Sequence, residues 1–211
     1  MKKKMIEMTK VYIIESPSFI DLLDNRKEGE ALSRILDLSQ IKNIVYSVSD
    51  IQTLELALDR IADDILKDRR DYGAVHLHFS LHGNKQGIAL SDTSTLTWKT
   101  FFPYIKTLND KIGYIETNGL RISPTVLVFS VCDGYYAKEI KSFDEENCTT
   151  YTALIGPENP VEWADSLLAY SIYYHNAIYK STGQKIALSN MNTAIGIDVF
   201  KSDPGTGLEM K

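Results

Sequence analysis

The sequence predicts an α/β protein: a three-layer sandwich with helices on both sides of a mostly parallel sheet of about six strands. Three observations carry this. Short apolar runs recur along the chain, among them Val11–Ile14, Val75–Leu81 and Thr125–Val131. Amphipathic stretches with helical period separate them. The chain has 211 residues, 44% hydrophobic and 24% charged, the size and mix of a single globular domain, here 1–211. Near-continuous apolar strands are buried on both faces, and parallel neighbours need long crossovers that are usually helices.

In order along the chain, Val11–Ile14 reads as a buried strand, and Phe19 to Leu38 as helix interrupted near Gly29. Asn43–Val48 is a second strand. Asp50 stands at an N-cap position, and Ile51, Leu54, Leu58, Ile61 and Ile65 recur on one helical face. Val75–Leu81 is a third strand. Gly87 to Trp98 reads as a hairpin with a polar turn at Asp92–Ser94. Asp110 to Ser123 is polar, contains Gly113 and Gly119, and reads as a surface insertion. Thr125–Val131 is the most apolar strand and is expected at the centre. Thr152–Ile155 is a fifth strand, Trp163–Tyr179 and Lys185–Ala194 are helices, and Ile197–Phe200 is a last strand. There is no internal repeat and no linker long enough to split the chain.

Charge and cysteine content exclude several functions. The balance of 23 Lys+Arg against 28 Asp+Glu, net −5, argues against a nucleic-acid partner bound through phosphate neutralisation. Two cysteines, Cys132 and Cys148, exclude a disulfide scaffold and a four-cysteine zinc site, and fit a reducing compartment. Lys2–Lys4 resemble a signal-peptide start, but the apolar run Val11–Ile14 is short and Glu15 stops it. No stretch approaches the ~18 apolar residues of a membrane helix. The expectation is a soluble cytoplasmic protein with no membrane partner.

Sites in parallel sheets lie outside the carboxyl ends of the strands. The third strand ends in Ser80-Leu-His82-Gly83-Asn84 and the fourth in Ser130-Val-Cys132-Asp133-Gly134. A thiol needs a base or an electropositive setting to act as thiolate, and an imidazole on a neighbouring strand end supplies one. Glycines just after each residue let backbone approach a substrate, and their N–H groups could hold an oxyanion. Taken alone, a cysteine after a buried strand reads as a small core residue. Cys148, in the polar stretch Asp144-Glu-Glu-Asn-Cys148, reads as incidental. His76, His78 and His82 share one strand face, but the outer two lie about 20 Å apart, poor spacing for a shared metal. His175, on the face with Leu168, Ile172 and Tyr179, reads as packed. Neither a resident metal nor a cofactor is expected. The charged stretches Lys2–Lys4 and Lys67–Arg70 read as solvated surface.

His82 and Cys132 stand 50 residues apart, with a Cys-x-Gly at the second site. With His78-Phe-Ser-Leu-His-Gly83, Gly87–Asp92, Leu96-Thr-Trp98, Val128–Gly134, Ile155-Gly-Pro157 and Val161-Glu-Trp163, the chain resembles caspase-like cysteine peptidases, nearest the bacterial CHAT branch. The resemblance spans roughly residues 10–200, and departs from the caspase signature at Ser130, Val131 and Asp133. It implies Cys132 as nucleophile, His82 as base and later acid, and the N–H groups of Gly83 and Cys132 as the oxyanion hole. It places the loop after the fifth strand beside the substrate pocket, so Trp163 and Asp165 are candidate wall residues. Taken without the resemblance, Asp165 reads first as a cap of the helix beginning there. Glu15 and Asp133 complete the substrate-binding set.

The charged candidates in the expected pocket segments, Glu15, Asp133, Glu158, Glu162 and Asp165, are all acidic, with no Arg or Lys among those segments. An Asp-directed caspase pocket needs a basic group, so no preference for Asp at P1 is expected. The expected function is cysteine endopeptidase on a protein or peptide substrate. The resemblance further implies a bacterial stress or defence role with an activating protein partner. A catalytically silent caspase-like scaffold and a flavodoxin-like binding domain are the alternatives; the absence of a glycine-rich phosphate loop lowers the latter.

Overall fold

A computed structural model of the chain describes residues 9–67 and 74–205. Lys2–Lys4 and Asp68–Arg70, read above as solvated charge, lie outside the described residues. The elements in order are β1 (Thr9–Ser16), α1 (Phe19–Leu23), α2 (Glu28–Leu38), β2 (Lys42–Ser47), α3 (Ile51–Lys67), β3 (Ala74–Asn84), β4 (Gly87–Ala89) and β5 (Thr95–Thr97). Then come α4 (Trp98–Ile112), β6 (Ile115–Thr117), β7 (Leu120–Ile122), β8 (Thr125–Ser130), a 3-10 stretch (Gly134–Phe143), β9 (Cys148–Thr149) and β10 (Ala153–Pro157). The chain continues with α5 (Trp163–Tyr174), a π-helical extension of it (His175–Lys180), α6 (Gln184–Ile195) and β11 (Phe200–Pro204).

Six strands lie side by side in the order β11-β10-β8-β3-β1-β2. All neighbours are parallel except the β10–β11 pair. β4 and β5 extend the sheet as a hairpin from the end of β3. β8 and β3 form the centre, as the apolar run Thr125–Val131 predicts.

Alternation along the strands splits the core into two layers. In β1, Tyr12 and Ile14 face the α3/α4 side, and Val11 and Ile13 face α2, α5 and α6. Each large apolar side chain fully buried in this way contributes about 1.5–3 kcal/mol. The residues of β3 and β8 that face α2 and α5 change character toward the carboxyl end. His76 pairs opposite Val126, His78 opposite Val128, and Ser80 opposite Ser130. His82 and Cys132 follow, so the face that is apolar along most of β8 turns polar where the strands emerge.

Several boundaries differ from the sequence reading. The helical break falls at residues 24–27, and Gly29 lies inside α2. A Cβ there would stand 2.8 Å from Ile13 Cγ2 and 3.1 Å from Glu15 Cβ, so the glycine serves close packing of α2 on β1. α4 has no counterpart in the sequence reading. Pro103 removes one backbone bond inside α4, yet Phe101, Ile105, Leu108 and Ile112 bury one face of the helix and outweigh that loss. The polar segment before β8 holds the hairpin β6–β7, turned by Asn118 and Gly119 with φ of 49° and 78°. The last strand begins at Phe200 rather than Ile197. Gly196 ends α6 with φ 71°, Ile197 is exposed, and Asn192 Oδ1 accepts from the Phe200 N–H. Among the described residues, no helix is long and apolar enough to cross a membrane.

Candidate active site

His82 leaves the end of β3 and Cys132 follows β8, so both project from the carboxyl ends of two adjacent parallel strands. They line one cleft of about 440 Å³, within the range of ligand-binding pockets. Both are partly exposed, as reacting groups must be. Cys132 sits in a tight turn: the Gly134 N–H donates to Val131 O at 2.9 Å, and Asp133 takes a left-handed φ of 59°. The chain then enters the 3-10 stretch. The nucleophile candidate thus stands at a sharp strand-to-helix corner.

The structure supplies a third member that the sequence reading missed. Asp21 Oδ2 lies 2.5 Å from His82 Nε2. Asp21 is 3% exposed and completes a capping box with Ser18: its backbone N–H donates to Ser18 Oγ, and its carboxylate accepts from the Ser18 N–H and hydroxyl. Burial alone would raise the Asp21 carboxyl. The hydrogen bonds from Ser18 and His82, with the charge of the imidazole, outweigh burial and hold it below the ordinary carboxylate range. A carboxylate on one ring nitrogen fixes the tautomer and orientation of the imidazole and leaves the other nitrogen for proton transfer. Ser18-x-x-Asp21 just after β1 was the available signal.

Trp163, in the first turn of α5, lines the same cleft and packs edge-to-face on His82 with ring centroids 5.4 Å apart. Gly83 pairs opposite Ile88 in β4. A Cβ on it would come within 2.4 Å of Val131 Cγ1 and 2.6 Å of Gly87 O, so only glycine fits where β3 passes the turn that carries Cys132.

Three residues assigned to substrate binding lie elsewhere. Glu15 is 5% exposed and accepts from the Gly29 N–H at 2.7 Å; it supports the start of α2 and does not line the cleft. Burial raises its carboxyl; N–H groups of Gly29 and Glu30 pull it back, and repulsion from Glu28 and Glu30 adds to the rise. Asp133 is buried, and its Oδ1 has no hydrogen-bond partner among the described residues. It is not part of the cleft lining. Asp165 falls in the first turn of α5 behind the N-cap position, which Glu162 occupies, and is also absent from the lining. Glu162 does line the cleft.

The pocket segments expected from sequence also missed Arg26, which lines the cleft and pairs with Asp24 at 3.1 Å. Beneath the cleft a polar cluster fills the α2/α5 face of the sheet. Ser80 and Ser130 donate to the two oxygens of Glu28 at 2.5 and 2.7 Å, and Ser130 Oγ lies 2.6 Å from Ser166 Oγ. The charge string Lys27-Glu-Gly-Glu30 gave no hint that its first acid is buried.

The other histidines are packed. His78 is fully buried, with Nδ1 3.1 Å from the Tyr174 hydroxyl and its ring edge-on to Tyr170. Burial, then repulsion from His78, pushes His76 down to about 4. His175 stacks on Tyr179 with centroids 5.0 Å apart. Cys148 lies in β9 of the small second sheet, away from the cleft. No known family model and no curated protein matches this sequence.

Proposed function

We propose that the chain is a caspase-like cysteine endopeptidase with Cys132 as nucleophile, His82 as proton carrier and Asp21 as the group that orients His82. The observation that carries the reading is that His82 and Cys132 line one cleft at the ends of adjacent parallel strands, with a buried carboxylate on Nε2 of the imidazole. Nucleophile, base and orienter in sequence is the general pattern of activated-nucleophile chemistry.

The steps follow from that arrangement. His82 takes the thiol proton, and the Cys132 sulfur attacks the peptide carbonyl carbon, forming a C–S bond and an oxyanion. The N–H groups of Cys132 and Gly83 are the proposed donors to that oxyanion. The C–N bond breaks as His82 gives its proton to the departing amine. Water then adds to the thioester with His82 as base, the C–S bond breaks, and the acid leaves with the thiol restored. Asp21 stabilises the imidazolium in both halves.

The resemblance noted from the motifs supplies the caspase-like assignment and control by a partner protein in a bacterial stress or defence response; the cytoplasmic setting rests on the cysteine content and the short apolar run after Lys2–Lys4. The test is digestion of a diverse peptide library by wild type and by Cys132→Ala. Cleavage lost in the variant is the expected result. Cleavage that survives in Cys132→Ala, or none by wild type with or without partner extracts, overturns the reading.

A further inference from the structure

We propose that Glu28 is a positioning residue: from behind the cleft, its carboxylate staples the ends of β3 and β8 together and so sets the gap between the His82 imidazole and the Cys132 thiol. The effect on catalysis rests on the peptidase reading; the staple itself does not.

The backbone ladder that joins β3 to β8 stops short of both residues. Its last pair is Ser80 opposite Ser130. From His82 onward β3 pairs with β4, and Cys132 lies in the turn beyond β8. His82 and Cys132 each stand two residues past that last pair, so no ladder bond between these strands fixes their separation. Glu28 bridges the same pair. Ser80 donates to Oε2 at 2.5 Å and Ser130 to Oε1 at 2.7 Å, so one carboxylate holds both strands. Two contacts from α5 support the β8 side. Ser166 Oγ lies 2.6 Å from Ser130 Oγ, and the Tyr170 hydroxyl donates to Phe129 O at 2.6 Å. These hold β8; Glu28 holds β8 and β3.

The fold places Glu28 for this role. α2 sits close on β1 at Gly29, which brings the first turn of the helix over the strand ends. The Glu28 side chain is 2% exposed and does not line the cleft. Among the described residues no Lys or Arg forms an ion pair with it, and His78 Nε2, 4.0 Å away, is beyond hydrogen-bond reach. A buried carboxylate without a cation is costly. An apolar side chain would avoid that cost but could not accept from two strands at once. Bonds to a charged acceptor are short and about twice as strong as neutral ones, which suits a tie that must hold a distance. Holding reacting groups in register is what such a tie contributes, because small misplacements cost large factors in rate.

The test has two arms on the full chain, each comparing Glu28→Met, which accepts nothing, with Glu28→Gln. The amide can keep the span: its oxygen accepts from Ser80, its NH2 donates to Ser130, and the Ser130 hydrogen turns to Ser166. The first arm needs no catalysis. In a chain carrying His82→Cys and Cys148→Ser, dibromobimane cross-links position 82 to Cys132 only while the two strand ends stay close. Glu28→Met should slow cross-linking several-fold and Glu28→Gln should not. Unchanged cross-linking in Glu28→Met, or none in the parent chain, overturns the staple. The second arm keeps His82 and follows iodoacetamide on Cys132 and Cys148 in the same digest. Glu28→Met should slow Cys132 about tenfold and leave Cys148 unchanged, Glu28→Gln should stay near wild type, and Glu28→Met should add nothing once His82 is alanine. A merely structural role has the opposite sign, since a loosened strand end exposes Cys132 and speeds its alkylation. A faster Cys132, a loss equal in Glu28→Gln, or a loss that persists without His82 overturns the positioning role. If Glu28→Met does not fold, Ser80→Ala, which cuts the β3 tie alone, decides both arms by the same signs. Cross-linking that depends on Glu28, with Cys132 alkylation indifferent to His82, supports the staple and overturns the peptidase reading alone.

Discussion

Asp21 Oδ2 stands 2.5 Å from His82 Nε2, and the short helix that holds it there is inverted. Asp21 is the buried residue of α1, while Phe19, Ile20, Leu22 and Leu23 are all exposed. A helix chosen for core packing would bury the apolar side chains and leave the acid in water. Breaking that rule beside a candidate base is the pattern expected where function overrides packing.

Asp21→Asn tests the role directly. The amide keeps the size of the side chain but presents a donor or an acceptor to Nε2, so it no longer fixes one tautomer. Hydrolysis, or alkylation of Cys132 where the substrate is unknown, should slow at least about tenfold while the thermal midpoint moves by only a few degrees. Asp21→Glu should not restore the rate, because its longer chain displaces the oxygen from the capping geometry. An unchanged rate in Asp21→Asn removes Asp21 from the mechanism.

Cys132 and Cys148 are both partly exposed, so access alone does not separate them. In the proposed dyad His82 takes the thiol proton, so iodoacetamide should modify Cys132 much faster than Cys148. His82→Ala should bring the two rates together. Mass spectrometry of peptides containing each cysteine reads both rates at once. Equal rates in the wild type count against a working dyad.

The two halves of the site were unequally visible in the sequence. His82 and Cys132 are reactive residue types, each with a glycine within two residues after it at the end of an apolar strand, and strand ends are where parallel sheets place chemistry. Asp21 is 61 residues from His82, and Ser18-x-x-Asp21 is fully explained as a helix cap; only the fold shows the second bond its carboxylate makes. Glu28 sits in a charge string that reads as solvent-facing, and its burial is set by the packing of α2 on β1 at Gly29, a long-range fact. The mostly parallel sheet and the central place of β8 followed from apolar runs that need burial on both faces. α4 did not, because Pro103 masks a face that tertiary packing rescues. The Asn118-Gly119 turn carried a hairpin signature, but its flanking strands are three residues each and largely exposed, with no alternation to support it.

Gly83→Ala probes the backbone between the strand ends that carry His82 and Cys132. Its Cβ would lie 2.4 Å from Val131 Cγ1 and 2.6 Å from Gly87 O. Overpacking of this kind typically costs about 1–3 kcal/mol. Val131→Ala in the same chain removes the first clash and leaves the second, which is backbone. The double variant should therefore recover only part of the loss in denaturant unfolding. Full recovery would show that β3 and β4 can move apart freely.

His76 predicts a component of acid unfolding. It is buried, with its proton affinity lowered from 6.5 to about 4, by burial first and by His78 second. Below pH 6.5 the unfolded chain takes up a proton that the folded chain refuses until about pH 4, so stability falls as pH drops through that window. The loss approaches about 3 kcal/mol at its acid end. His76→Phe keeps a ring against Tyr174, whose centroid is 5.8 Å away, and removes the titration. The stability gap between variant and wild type should widen in favour of the variant from pH 7 to pH 4. A gap independent of pH refutes the assignment.

Asp133 combines two unfavourable features next to Cys132: a left-handed backbone at φ 59° and a buried Oδ1 without a hydrogen-bond partner among the described residues. Left-handed geometry costs an L residue roughly 1 kcal/mol or more, less for Asp than for most. An unsatisfied buried oxygen adds about 1–3 kcal/mol. Glycine removes both costs but gives the unfolded chain more freedom, which returns about 0.5–1 kcal/mol. Asp133→Gly should therefore stabilise the fold by about 1 kcal/mol, a rise of roughly 2–4 °C in Tm for a chain of this size. The same change frees the corner that presents Cys132, so alkylation of Cys132 should slow as Tm rises, the trade expected of strain kept at a functional site. A fall in Tm would mean that the Asp133 carboxylate holds the turn together.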